Sequence, residues 1–253
     1  MKLETRCCVV GGGPAGMVLG WLLARAGVDV IVLEKHADFF RDFRGDTIHP
    51  STLELMYELG VLDKFLRVPH TQMDHLDLEM LGERVHGPDF RGISTHCKFI
   101  ALMPQWDFLD FVKAEASRYP GFQLVMEAEA IELTQEGERV TGVVAKTPRG
   151  KLDIHADLVV GCDGRHSVIR DRAQLVRRDL GAPIDVLWMR ISRSPDDGEQ
   201  VLGVFGADKF LVMLDRGDYW QCAYLIEKGG LIALQRRGLS AFRDDLRSLV
   251  PAL

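Results

Sequence analysis

The chain has 253 residues, 47% of them hydrophobic and 27% charged, with a formal net charge of −6. That length admits one large or two modest domains of ordinary globular composition. The acidic excess and the lack of a basic stretch argue against a nucleic-acid partner, and no apolar run approaches the ~18 residues of a membrane span.

In chain order, Cys7-Cys8-Val9-Val10 predicts a buried parallel strand that runs into Gly11-Gly12-Gly13-Pro14-Ala15-Gly16. The strand also accounts for the first apolar run, so no signal peptide is expected. Pro14 suits the first position of a helix, Val18, Leu19, Leu22, Leu23 and Ala26 follow at helical spacing, and Gly27 stops it. Val28–Leu33 predicts a second strand with Glu34 at its carboxyl end. Strand, glycine turn, helix, strand and acid make a dinucleotide-binding βαβ unit. Gly11 permits the tight turn, Gly13 lets backbone N–H groups approach a pyrophosphate, and Gly16 lets the helix pack on the sheet. The helix N-terminus offers that pyrophosphate a partial positive charge. Glu34 stands where a ribose 2′-hydroxyl is bound, roughly 20 residues past the glycines, and its charge disfavours a 2′-phosphate. The fingerprint by itself leaves FAD and NAD open.

Beyond Lys35 and a polar stretch containing Arg44, Ser51-Thr52-Leu53-Glu54 predicts a capping box opening a helix to Leu59. A short helix over Val61–Val68 follows. His75–Met80 alternates as a half-buried strand, and Lys98–Met103 reads as another, in an antiparallel insertion. Pro104-Gln105-Trp106 starts a helix with Phe108, Leu109, Val112 and Ala116 on one face. Phe122–Met126 is a strand. Glu129–Thr134, Val140–Lys146 and Lys151–His155 predict a three-stranded meander. Asp157–Gly161 is a separate buried strand leading into Cys162-Asp163-Gly164, with a helix over Val168–Ala173. Ile184–Ser192, a turn at Pro195-Asp196-Asp197-Gly198, then Val201–Phe205, Phe210–Asp215 and Tyr219–Ile226 are expected to join the Thr71–Met103 strands in one mixed sheet. Leu231–Arg237 and Ser240–Leu249 read as two helices. Cys7, Cys8, Cys97, Cys162 and Cys222 lack CxxC spacing and read as packed, reduced thiols of a cytoplasmic protein. The eight histidines show no metal-ligand spacing, so no metal is expected.

Asp157–Arg170, reading DLVVGCDGRHSVIR, resembles the Asp-Gly motif of the p-hydroxybenzoate-hydroxylase-like group of flavin-dependent aromatic hydroxylases, the group A FAD-dependent monooxygenases. Ser167 and Arg170 stand at that family's spacing, and the likeness runs over essentially the whole chain. Arg44-Gly45-Asp46 resembles the segment whose arginine reaches the FAD diphosphate, and Pro104-Gln105-Trp106 the segment whose glutamine contacts the flavin or its ribityl chain. The resemblance implies an α/β fold: a Rossmann-like FAD-binding domain of glutathione-reductase type with an inserted mixed β-sheet substrate domain. Residues 1–70 and 104–174 would form the first, 71–103 and 175–230 the second, and 231–253 helices leading back. The implied FAD contacts are Gly11, Gly13, Pro14, Ala15, Gly16, Glu34, Lys35, Arg44, Gln105, Asp163 and Gly164. No catalytic side chain is assigned; His49 and His166 are candidates for proton handling.

The same resemblance implies reduction of FAD by NAD(P)H, addition of O₂ at flavin C4a, and transfer of an oxygen atom from the hydroperoxyflavin to an aromatic or similar small molecule. A homodimer is compatible with it. The alternatives are a FAD-dependent dehydrogenase or reductase, and a non-catalytic FAD-binding fragment. The family's third motif, a C-terminal Gly-Asp, has no match: Gly217-Asp218 reads as a hairpin turn. The chain therefore reads as truncated before that motif and is expected to hold FAD weakly.

Overall fold

The computed structural model describes residues 1–40, 47–194 and 203–251. The backbone divides into two compact units: residues 1–44 with 104–178, and 45–103 with 179–253.

The first unit is built on a six-stranded sheet. Its strands are β1 (Lys2–Val10), β2 (Val30–Leu33), β8 (Phe122–Val125), β9 (Glu129–Glu136), β10 (Arg139–Thr147) and β11 (Gly150–Gly161), in the order β8-β2-β1-β11-β10-β9. β8, β2, β1 and β11 run parallel, whereas β11, β10 and β9 are antiparallel neighbours. The expected third meander strand and the expected buried strand are one element. β11 pairs with β10 through its first half and follows β1 from Asp153 to Gly161. Leu152, Ile154 and Ala156 alternate into the core and nothing between His155 and Asp157 turns the chain, but the stretch expected to be buried is not: Leu158 is 57% exposed, and Val159 and Val160 are only partly covered. Cys8, Val10, Ile31, Leu33, Val143, Ala145, Leu152 and Ile154 form one buried cluster between the parallel and antiparallel parts. The helix α1 (Pro14–Arg25) lies beside the helix α4 (Gln105–Ala116), and Gly20 lets α1 close onto the sheet: a Cβ there would stand 2.5 Å from Val32.

The second unit holds two sheets where one was expected. The larger contains β5 (His75–Met80), β6 (Glu83–Asp89), β12 (Ile184–Ser192), β13 (Gly203–Phe205), β14 (Phe210–Asp215) and β15 (Tyr219–Glu227), in the order β12-β15-β14-β13-β5-β6. It is mixed, because β5 and β13 run parallel. The smaller joins β3 (Thr47–Ile48), β7 (Ile100–Leu102) and β4 (Thr71–Met73) in the order β3-β7-β4. Its pairing through β3 and β4 ties residues 47–70 to this unit rather than to the first, with which they were expected. The turn expected at 195–198 lies outside the described residues. The hairpin at Gly217 forms, with Gly217 at φ 84 and its N–H on Asp215.

The helix α2 (Pro50–Glu58) corrects the capping box. His49 is the N-cap, Pro50 takes the first helical position, and no side chain caps the end. Glu54 instead accepts from the His96 N–H and ring, and the His96 ring stacks on Tyr57. The short helix α3 (Leu62–Phe65) follows. The two expected C-terminal helices are α6 (Leu231–Leu249), bent at Gly238, whose φ of 84 and ψ of 166 are not helical. Asp245 pairs with Arg237, just before the bend, and with Lys209 in the turn between β13 and β14, each at 2.9 Å. Among the described residues no helix is long and apolar enough to cross a membrane.

Candidate functional site

The carboxyl ends of β1, β2 and β11 meet at one edge of the first unit. Gly11 N–H donates to Leu33 O at 2.8 Å and Cys162 N–H to Val10 O at 2.7 Å, so the turns leaving the three strands are tied together. A cleft of about 700 Å³ opens there, and Val10, Leu33, Glu34 and Cys162 all line it. The crevice outside the carboxyl ends of parallel strands is the usual place for a ligand in an open α/β sheet.

Three glycines of the turn have different duties. Gly11 has φ +110, and a Cβ on it would lie 2.3 Å from Cys162 O, so the two turns pass at backbone contact. Gly16 faces the Gly11 carbonyl, where a Cβ would stand at 1.9 Å, and this brings α1 down on the turn. Around Gly13 nothing lies within 4 Å of a Cβ position, so its face is open to the cleft. The first turn of α1, which starts after Gly13, carries no acidic side chain and leaves its partial positive charge uncancelled.

Glu34 is only 8% exposed. Its Oε2 accepts from Gly12 N–H at 3.1 Å, and its Oε1 from His36 N–H at 2.9 Å, with the His36 ring Nδ1 at 2.6 Å. The carboxylate therefore braces the glycine turn from behind as well as lining the cleft. Asp163 has a similar double position. Its Oδ2 accepts from the N–H groups of Val168 and Ile169 at 2.7 and 3.2 Å, while Ser167 is the N-cap of the helix α5 (Val168–Arg172). No hydrogen bond among the described residues reaches the buried Asp163 Oδ1. Gly164 at φ 84 turns the chain between them. Burial, and then the neighbouring Asp163, push the Cys162 thiol up, and Cys8 beneath the turn is pushed up to about 12 by burial and then by Cys7. None of the five cysteines is in a disulfide.

Of the expected contact residues, Gly11, Gly13, Glu34, Lys35, Gln105, Asp163 and Gly164 line this one cleft. Pro14, Ala15 and Gly16 shape α1 without lining it, and Arg44 lies outside the described residues. His166 lines the cleft; His49 belongs to the other unit, as the N-cap of α2. Sequence reasoning missed Gly12, His36, Phe39, Leu109 and Glu129. For Gly12 a signal existed in its place as the middle one of three consecutive glycines: a Cβ there would stand 2.7 Å from that of Glu34.

Residues 4–207 match the family model described as FAD binding domain. The chain belongs to that family. Its cofactor is accordingly FAD, and the cleft fits a dinucleotide by three observations: the open face of Gly13, the uncancelled helix end, and the unpartnered oxygen of Asp163. The chain is 29% identical to 6-methylpretetramide 4-monooxygenase of Streptomyces rimosus over 98% of its own length and 59% of the relative's. It is 30% identical to YhjG of Bacillus subtilis, an uncharacterised aromatic compound monooxygenase, over 69% of this chain and 34% of that protein. Among solved structures, p-nitrophenol 4-monooxygenase PnpA of Pseudomonas putida superposes with a TM-score of 0.79 at 21% identity, covering 94% of this chain and 61% of that one. The last comparison speaks for the fold. The chain thus spans about a third to three-fifths of the length of these proteins.

Proposed function

We propose that the protein is a FAD-dependent monooxygenase that hydroxylates an aromatic or similar small organic substrate with NAD(P)H and O₂. The observation that carries this reading is the cleft at the ends of β1, β2 and β11, in a chain whose relatives are named as monooxygenases of aromatic compounds. Bound FAD supplies the electron transfer and the activation of dioxygen, chemistry no side chain can perform. The protein's part is to bind, orient and keep water out. The α1 end and the Gly13 backbone hold the pyrophosphate, and Glu34, fixed by Gly12 and His36, takes the ribose hydroxyls. Lys35, Gln105, Asp163 and Gly164 complete the contacts, with Arg44 added from the diphosphate segment. Phe39 and Leu109 give the cleft an apolar wall that would help keep water from bound FAD. His166 is placed at the cleft to accept or return a proton.

The partners in this reading are a small aromatic molecule, O₂ and the nicotinamide reductant. Cytoplasmic residence belongs to the same reading, and sedimentation tests for a homodimer. The deciding experiment follows NAD(P)H and O₂ consumption by the FAD-loaded protein with a panel of phenols. A phenol that stimulates both, with incorporation of one oxygen atom from ¹⁸O₂, supports the proposal. Reduction of the flavin without oxygen incorporation would make the protein a dehydrogenase or reductase.

A further inference from the structure

One imidazole at the cleft serves the carboxylate beside it rather than the fold. His36 stands two residues past Glu34, and its side chain is 46% exposed against 10% for that of the glutamate. The backbone there is fastened without the ring. Glu34 N–H donates to Val125 O at 2.9 Å, Ala128 N–H to Glu34 O at 2.8 Å, and Glu127 N–H to His36 O at 3.0 Å. The chain leaving β2 is thus tied to the segment that joins β8 to β9. A half-exposed side chain on a backbone so held adds little to stability.

What the ring touches is the group that lines the cleft. Gly12 N–H donates to Glu34 Oε2 at 3.1 Å and His36 N–H to Oε1 at 2.9 Å, so the two backbone contacts take one oxygen each. Two such contacts leave the plane of the carboxylate able to tilt about the line through its oxygens, within the play of the side chain. The His36 ring adds a contact off that line, with Nδ1 at 2.6 Å from Oε1. An ionised carboxylate only accepts, so Nδ1 carries the hydrogen. On the turn side there is no room to move, because a Cβ on Gly12 would already stand 3.1 Å from Oε2. The tilt matters for a ligand, since a donor prefers to approach an sp² oxygen near the plane of its group.

We propose that His36 is a positioning residue for the adenosine ribose, its ring setting the plane of the Glu34 carboxylate and so the direction in which Glu34 accepts from the ribose hydroxyls. The inference rests on the assignment of Glu34 to that ribose and adds that the imidazole, rather than the backbone contacts alone, decides how well the hydroxyls are taken. The test needs no turnover. ADP and 2′,3′-dideoxy-ADP, which lacks both hydroxyls, are titrated by calorimetry into the full chain and into His36→Ala and His36→Asn. Asparagine keeps an N–H donor near the place of Nδ1.

The wild type should prefer ADP about tenfold or more. His36→Ala should weaken ADP about tenfold, the loss of one well-directed hydrogen bond to a charged group, and leave the dideoxy nucleotide within about twofold. H36N should recover most of that loss, and the melting temperatures of both variants should stay within about 2 °C of the wild type. With ¹⁵N-labelled histidine, the Nδ1 signal absent from H36A should show a hydrogen-bearing nitrogen and shift with ADP only. Equal loss of both nucleotides in H36A, or no recovery in H36N, would make His36 merely structural and overturn the proposal. A preference for ADP that survives in H36A would leave Glu34 on the ribose and strike this inference alone. A wild type that binds both nucleotides equally would strike the ribose assignment itself, and this inference with it.

Discussion

The cofactor cleft and the sheet face around Gln221 are built in opposite ways. In the first unit recognition is built from backbone: glycines that admit a carbonyl, a helix end and two carboxylates that brace the turns. The second is a regular sheet of ordinary backbone, where one buried amide, that of Gln221, is the exception. The first kind of site tolerates almost no change in the glycines that place its backbone.

The sharpest break would come at Gly11. Gly11→Val forces a side chain into Cys162 O at a positive φ, which is expected to cost more than about 3 kcal/mol and to abolish FAD binding; thermal unfolding and flavin titration measure both. Gly13→Ala separates the two effects, because its Cβ meets nothing and its φ of −73 is ordinary. Stability should stay within about 0.5 kcal/mol while FAD weakens roughly tenfold. Asp163→Ala removes the acceptor of two N–H groups at α5, with an expected loss of about 1–2 kcal/mol and faster amide exchange at Val168 and Ile169.

Asp245→Ala probes the other unit. Burial pushes this carboxyl up, but the ion pairs with Arg237 and Lys209 outweigh it and hold it below the usual range. Arg237 is half exposed, so solvent screening limits the expected loss to about 1–2 kcal/mol, with FAD affinity unchanged. The smallest effect concerns Glu54, held below the usual carboxylate range by the His96 N–H and then its ring. A carboxyl depressed on folding stabilises above its unfolded pKa and loses that contribution as pH falls through its folded one. The contact between His96 and α2 should therefore be intact at neutral pH and open only on acidification below the usual carboxylate range. The ring signals of Tyr57, stacked on His96, report it by NMR.

What could be read in the sequence follows the same division. Gly11, Gly16, Glu34 and Asp163 announce themselves because backbone geometry admits few residue types at their positions, and the βαβ unit with its cleft was legible from them. The separation of β3, β7 and β4 from the large sheet was not, because pairing partners distant in sequence leave no local period. The continuity of β11 was hidden by the same limitation: His155 between apolar residues looks like an interruption until Asp153 to Gly161 is seen to follow β1. The capping box failed because Pro50 opens the helix with His49 as N-cap, which puts Ser51 inside it, and Glu54 accepts instead from His96, forty-two residues away. Gln221 gave no signal, since a glutamine inside a strand becomes informative only when its burial and partners are known.

The most direct test of the cleft is a fluorescence titration of the purified protein with FAD, with ADP as competitor and Gly11→Val as control. Saturable quenching at one FAD per chain, reversed by ADP and absent in the variant, is the expected result. No saturable binding by the wild type, or equal binding by the Gly11 variant, would contradict a cofactor held between the turns of β1 and β11.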